Sequence, residues 1–169
     1  LNKRKQNDVL INAFNNIIEE IAPDIILTFI GDGNMKQELI ELVQKLNIGS
    51  RVLFIEATSN SEILSEYYSE ALVSVSYGQA GLSVLQSFGF GVPFLTKKNA
   101  ISGGETSNII NGYNGYLCSD DENDFRSKLF LFCSDYKLAR EMGKNAYDYY
   151  TEFCTIGKMA DGFIDAIGN

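Results

Sequence analysis

The 169-residue chain contains no histidine, and that absence removes more chemistry than any other feature of its composition. Ser-His-Asp hydrolysis, histidine metal ligation and histidine acid–base work cannot be supplied from within it. Cysteine is scarce: Cys118, Cys133 and Cys154 are odd in number and lack CxxC spacing. They read as small buried hydrophobes in a reducing, cytoplasmic setting rather than as a disulfide framework or zinc site. Basic charge is also sparse. Fourteen Lys and Arg face 22 Asp and Glu, a net charge of −8, and the only basic cluster is Lys3-Arg4-Lys5, so nucleic acid is not an expected partner. No apolar run approaches the roughly 18 residues of a membrane span, and the first residues show no signal-peptide pattern.

What is present is an ordinary globular composition, 45% hydrophobic and 21% charged, in a length that suits one domain with a substantial core. Short apolar runs alternate with segments of helical period. Val9, Leu10, Ala13, Phe14, Ile17, Ile18 and Ile21 follow i, i+3, i+4 spacing, with Asp8 placed to cap that helix and Pro23 beyond its end. Strands are expected at Ile25–Ile30, Val52–Ile55, Leu72–Ser76, Phe94–Thr96 and Gly115–Cys118. Between them lie helices around Leu39–Leu46, at Ser61–Ala71 and at Leu82–Phe90, and a short one near Thr106–Ile110. Three more helices end the chain, at Asp121–Ser134, Tyr136–Phe153 and Thr155–Ile167, the last with Ile156, Met159, Phe163 and Ile167 on one face. This alternation predicts an α/β fold, a Rossmann-like parallel β-sheet with helices on both faces and C-terminal helices.

In doubly wound sheets of order 3-2-1-4-5-6 the first strand is central, yet this chain opens at Leu1 in what reads as the loop after such a strand. The expectation is therefore one domain over residues 1–169, a fragment of a longer protein. Ile25–Ile30 and Leu72–Ser76 would then flank the position of the absent strand.

The most informative stretch is Ser74–Thr96. A buried strand enters a glycine-punctuated loop, Tyr77–Gly81, which runs straight into a helix. Unpaired N–H groups beside a helix's positive end form an anion site, usually for phosphate; the alternative is a plain βα turn. Gly31-Asp32-Gly33 hints at dinucleotide binding, but it follows the second strand of the pattern and lacks the third glycine of GxGxxG. Asp120-Asp121-Glu122-Asn123-Asp124 could suggest a metal, yet acids at a helix start favour the dipole and capping.

The order of motifs resembles the C-terminal, donor-binding half of the group 1 (family 4) retaining glycosyltransferases of the GT-B fold. Lys5 through Phe14, KQNDVLINAF, resembles that family's KGxDxLIxAF; Leu27 through Gly33 resembles LxIxGxG; Arg51 through Phe54 resembles RVxF. Tyr67 through Val75 resembles YxxADVxV, Gly81 through Pro93 resembles GLxxLEAMAxGxP, and Ile109 through Leu117 resembles IIxxGxNGxL. The resemblance implies transfer of a sugar, with retention, from a nucleotide-diphosphate donor to a glycan or lipid-linked acceptor, in surface polysaccharide synthesis. UDP- or GDP-sugar would be the substrate, and neither cofactor nor metal is expected. The chain's own N-terminal acceptor domain would be the partner, with peripheral membrane association of the full protein as a further option and the isolated fragment inactive. Other readings are a non-catalytic nucleotide-binding or interaction domain of the same fold, and a sugar-nucleotide epimerase whose acid–base residues are not evident.

By the same resemblance, Lys5, Gly78, Gln79, Ala80, Gly81, Leu82 and Ser83 would bind the donor and its diphosphate, with the N–H groups of Gly81 and Leu82 central. Two family glutamates separated by seven residues fall here on Gly78 and Gln86. Gln86 can still address ribose hydroxyls as a neutral amide. Glu105 lies near the donor sugar in this scheme, or serves as an ordinary carboxylate at a helix start. Lys5 is either a phosphate partner or a solvated loop lysine.

Overall fold

The computed structural model describes residues 1–167, apart from the side chains at 159, 161–163 and 166. Its strands are β1 (Leu27–Ile30), β2 (Val52–Ile55), β3 (Ser74–Val75), β4 (Phe94–Lys97) and β5 (Gly115–Cys118). Its helices are α1 (Asn7–Asn15), α2 (Lys36–Lys45), α3 (Ser61–Glu70), α4 (Ser83–Gly89), α5 (Glu122–Ser134), α6 (Tyr136–Tyr149) and α7 (Ile156–Ile167). All strand pairs are parallel: β1 with β2, and β3–β4–β5 as a second ladder. No ladder joins β1 to β3 among the described residues, as the expected order requires.

Strand β4 shows why both faces are covered. Successive side chains of a strand point to opposite sides, and Leu95 enters a cluster with Ile11, Phe14, Phe29, Phe125 and Phe132, while Phe94 enters one with Val84, Phe88, Ile109 and Ala146. The first cluster draws on α1, α2, α5 and α6 with Phe29 of β1, the second on α4 with Ala146 of α6. Burying both faces is why β4 reads as Phe-Leu-Thr without polar alternation.

Residues 1–6 lie across the edge where β1 and β3 end. Met35 N–H donates to Leu1 O at 3.2 Å, and the Leu1 amino group donates to Asp32 O. Gly78 N–H donates to Lys5 O at 3.0 Å. The chain's first turn thus joins the loops that leave the two ladders.

Several boundaries differ from expectation. Helix α1 stops at Asn15, and Ile17, Ile18 and Ile21 reach the core through turns closed by Ile17 N–H to Phe14 O and Glu20 N–H to Ile17 O. Asn15 and Asn16 are poor helix formers whose side chains compete for backbone groups. Asp8 is not the cap; Gln6, with a left-handed backbone (φ 51°, ψ 47°), precedes the helix, and Asp8 sits in its first turn. Strand β3 shrinks to two residues, since it pairs on one side only. The helix expected over Tyr136–Phe153 opens into a wider turn at Tyr150–Cys154, where Tyr149 and Tyr150 pack on the α4 cluster. In place of the Thr106–Ile110 helix stands one turn of 3₁₀ helix, Glu105–Asn108. On α7, Ile156 and Ile167 are exposed; Met159 and Phe163, placed with them from sequence, lie outside the described side chains.

Candidate functional site

The β3–α4 loop is clamped from two sides. Gly78 N–H is held by Lys5 O, Ile101 N–H donates to Gly78 O at 2.9 Å, and Ala80 N–H donates to Ile101 O at 2.9 Å. Ser76 Oγ bonds Gln79 O at 2.5 Å, closing the loop on itself. These bonds divide the candidate donors. Gly78 and Ala80 spend their N–H groups on the fold, and Ala80 is fully buried. The N–H groups of Gly81, Leu82 and Ser83 meet no acceptor among the described residues, and Leu82, the residue before α4, gives it no side-chain cap. Ser83 Oγ is buried there without a partner. Leu82 is 75% exposed and Gln86 is exposed one turn along, so this helix start faces solvent.

Lys5 is brought to this loop through its own carbonyl. It is half-buried, burial pushes its ammonium down from the usual lysine range, and no carboxylate pairs with it among the described residues. A partly desolvated cation without a counter-ion is receptive to an anion. Gly78 has no room for a side chain: a Cβ would sit on the Arg4 carbonyl oxygen and lie 2.8 Å from Gln6 Cγ. The space a side chain at residue 78 would need is therefore filled by the chain's own first turn.

Two residues here were not singled out from sequence. Gln6 Oε1 accepts from Lys97 Nζ at 3.1 Å, and that ammonium lies 4.6 Å from the centre of the Tyr77 ring. Lys97 ends β4 at the same edge; its place after a buried parallel strand was the available signal. Gln79 is half-buried and its backbone bridges Ile101, its side chain meeting no partner among the described residues.

Glu105 sits where both of its readings meet. Its Oε2 accepts from Gly103 N–H at 2.7 Å and Ser102 Oγ at 2.9 Å, at the start of the 3₁₀ turn. Its own backbone N–H, the Ser102 hydroxyl and Gly103 N–H hold the carboxyl below the usual range. Oε1 lies 3.9 Å from where a Cβ on Gly81 would stand, so the carboxylate also borders the loop. The acidic run serves α5: Asp121 Oδ1 caps Asn123 N–H at 2.9 Å, and Asp124 accepts from Ser119 N–H and Oγ at 2.8 Å.

No thiol here is poised as a nucleophile. Burial pushes Cys118 up to about 12 and Cys133 up to about 11, and raises Cys154 as well. Iodoacetamide at pH 8 is therefore expected to leave the native protein unmodified and to label all three cysteines once denaturant is added. Rapid labelling of the native form, read by mass spectrometry, would contradict this packing.

A parallel α/β sheet with its loops converging at one edge defines a Rossmann-like domain, and its likeness to solved structures places it with the C-terminal halves of GT-B folds. It superposes with a TM-score of 0.84 on a TarM variant from S. aureus in complex with fondaparinux, alpha-GlcNAc-glycerol and UDP. That match has 20% identity and covers 98% of this chain and 33% of TarM. The C-terminal domain of the Francisella tularensis group 1 protein LpcC gives 0.78 at 23% identity, covering 92% of this chain and 83% of that one. The chain belongs to the group 1 glycosyl transferases, whose family profile matches residues 1–149. Among curated proteins it is 30% identical over 155 residues to N-acetyl-alpha-D-glucosaminyl L-malate synthase of Bacillus anthracis, covering 89% of this chain and 39% of that enzyme. The chain thus spans about two-fifths of that relative.

Proposed function

We propose that this domain binds the nucleotide-diphosphate sugar of a retaining glycosyltransferase and acts with an N-terminal acceptor domain, in the synthesis of a surface glycan. The observation that carries the reading is one loop, in a chain of this family, whose Gly78 is bonded by the carbonyl of an unpaired, half-buried Lys5 and whose N–H groups at Gly81–Ser83 stay open. These groups would stabilise charge developing on the departing diphosphate, the kind of preorganised donor set that contributes most to such catalysis. The scheme calls for no divalent cation. Uridine is the first base to test, because the TarM structure contains UDP. The domain alone is expected to bind donor and to transfer nothing, the acceptor side being supplied by the other domain.

Calorimetry at full natural length tests this. UDP or GDP should bind in preference to NAD; tighter binding of NAD sinks the reading. Gly78 and Gln86 in place of the family glutamates favour one alternative, a non-catalytic nucleotide-binding domain, which would bind nucleotide yet leave a sugar nucleotide intact with every acceptor.

Gln86 tests the ribose contact. Gln86→Ala should weaken nucleotide binding by about 1 kcal/mol, while Gln86→Glu preserves or strengthens it through charge-assisted bonds. The side chain is exposed, so melting temperatures should stay within a degree or two. Unchanged affinity in Gln86→Ala removes the residue from the site.

A further inference from the structure

Lys97 is a half-buried cation that ends on neutral partners. Its ammonium donates to the Gln6 amide oxygen at 3.1 Å and lies over the Tyr77 ring; the ion pairs among the described residues, Lys36–Asp32 and Lys144–Asp148, do not include it. In a chain with 22 acidic and 14 basic residues, a lysine tethered for structure alone would readily find a carboxylate. The acids around the Tyr77 hydroxyl are Glu122, Asp120 and Asp121; none of them pairs with Lys97, Asp120 accepting from Asn99 and Asp121 capping α5.

The tether itself is specifically arranged. Gln6 holds a left-handed backbone, which residues with a Cβ rarely adopt. Its side chain reaches Lys97 only because residue 78 is glycine, where a Cβ would stand 2.9 Å from Gln6 Oε1. The same glycine is bonded by Lys5 O. Two lysines without counter-ions therefore meet one loop at its start, Lys97 over the Tyr77 ring and Lys5 through its carbonyl on Gly78, and the same loop carries the open N–H groups of Gly81–Ser83. An ammonium has three donors, and one hydrogen bond with one ring contact leaves Lys97 free to bind again.

We propose that Lys97 is a second phosphate-contacting cation of this site, positioned by the Gln6 amide, and that its ligand is the diphosphate of a nucleoside diphosphate. This rests on the donor-site reading above. It gives Gly78 a purpose: the missing side chain makes way for an amide that offers a cation to the site.

Calorimetry at full natural length, with UDP and with uridine, tests the assignment. Lys97→Met should lower UDP affinity about tenfold, the loss of one charge-assisted hydrogen bond, and leave uridine binding unchanged. Lys97→Arg should restore most of the affinity, and UDP binding should fall less steeply with added salt in Lys97→Met than in the parent. UDP affinity within about twofold of the parent in folded Lys97→Met overturns the proposal, as does an equal loss for uridine, which would mark a structural role. Should that variant fail to fold, Lys97→Gln takes its place under the same criteria. A parent that binds neither UDP nor GDP defeats the donor-site reading and this proposal together, whereas a binding parent with an indifferent Lys97→Met defeats this proposal alone.

Discussion

Alanine at Gly78 is expected to lower both the melting temperature and the affinity for nucleotide. The new Cβ would overlap the Arg4 carbonyl oxygen and press on Gln6 Cγ at 2.8 Å. Backbone on one side cannot yield as a flexible side chain would, so the Arg4–Gln6 turn must lift away. Overpacking of this kind costs about 1–3 kcal/mol, and in a domain of this size each kcal/mol moves the midpoint by roughly 2–4 °C. Lifting the turn also breaks the bond from Gly78 N–H to Lys5 O and withdraws Lys5 from the loop. Binding should therefore fall more than stability does. Glutamate at the same position should be worse than alanine, because its longer side chain competes with Gln6 for Lys97 as well. Trypsin offers an independent readout: Lys3, Arg4 and Lys5 should be cut faster once the turn is undocked. An alanine variant with the parent's melting point, affinity and cleavage rate would show that the first turn does not rest on Gly78.

That collision also marks the limit of what could be read from the sequence. The apolar run Phe94–Leu95 revealed its strand because burial on both faces leaves no room for polar alternation, whereas β1 was legible from Leu27, Phe29 and Ile30 although only Phe29 of it is buried. The loop-and-helix pattern at Tyr77–Gly89 was equally plain, since glycine and helical period are local signals. Which N–H groups of that loop stay open was not local. It depends on Ile101 and Lys5 arriving from elsewhere in the chain to take those of Ala80 and Gly78. The Gln6–Lys97 contact joins residues 91 positions apart, and no spacing rule reaches that far. Helix ends failed for a different reason. The Asn15-Asn16 pair disfavours helix only weakly, and the choice to turn there is settled by the tertiary positions of Ile17, Ile18 and Ile21 in the core.

The largest loss of stability from a single polar side chain is expected at Asn114. It is fully buried, with Oδ1 accepting from Ile110 N–H at 2.7 Å and Nδ2 donating to Asn108 O at 3.0 Å. One amide thereby satisfies a donor and an acceptor of the segment that leads from the Glu105 turn into β5. Its neighbour Gly115 lies against Phe94 so closely that a Cβ there would meet the Phe94 carbonyl, which makes the Asn-Gly pair a junction between loop and central strand. Asn114→Ala would strand both backbone groups, each costing about 1–3 kcal/mol when left unpaired away from water. A combined loss of about 2–6 kcal/mol corresponds to a fall in melting temperature on the order of 10 °C. Asn114→Asp should fare little better, since it keeps the acceptor but loses the Nδ2 donor and places a charge where water is excluded. Asn108 also receives Tyr149 Oη at 3.4 Å on its side-chain oxygen, so loosening this segment should release the end of α6 as well. Hydrogen exchange would then show lost protection at residues 108–118 and around Tyr149, with α1 and α2 unchanged. A melting temperature within about 2 °C of the parent in Asn114→Ala would mean that water takes over both bonds, and the segment would have to be regarded as open to solvent rather than as part of the core.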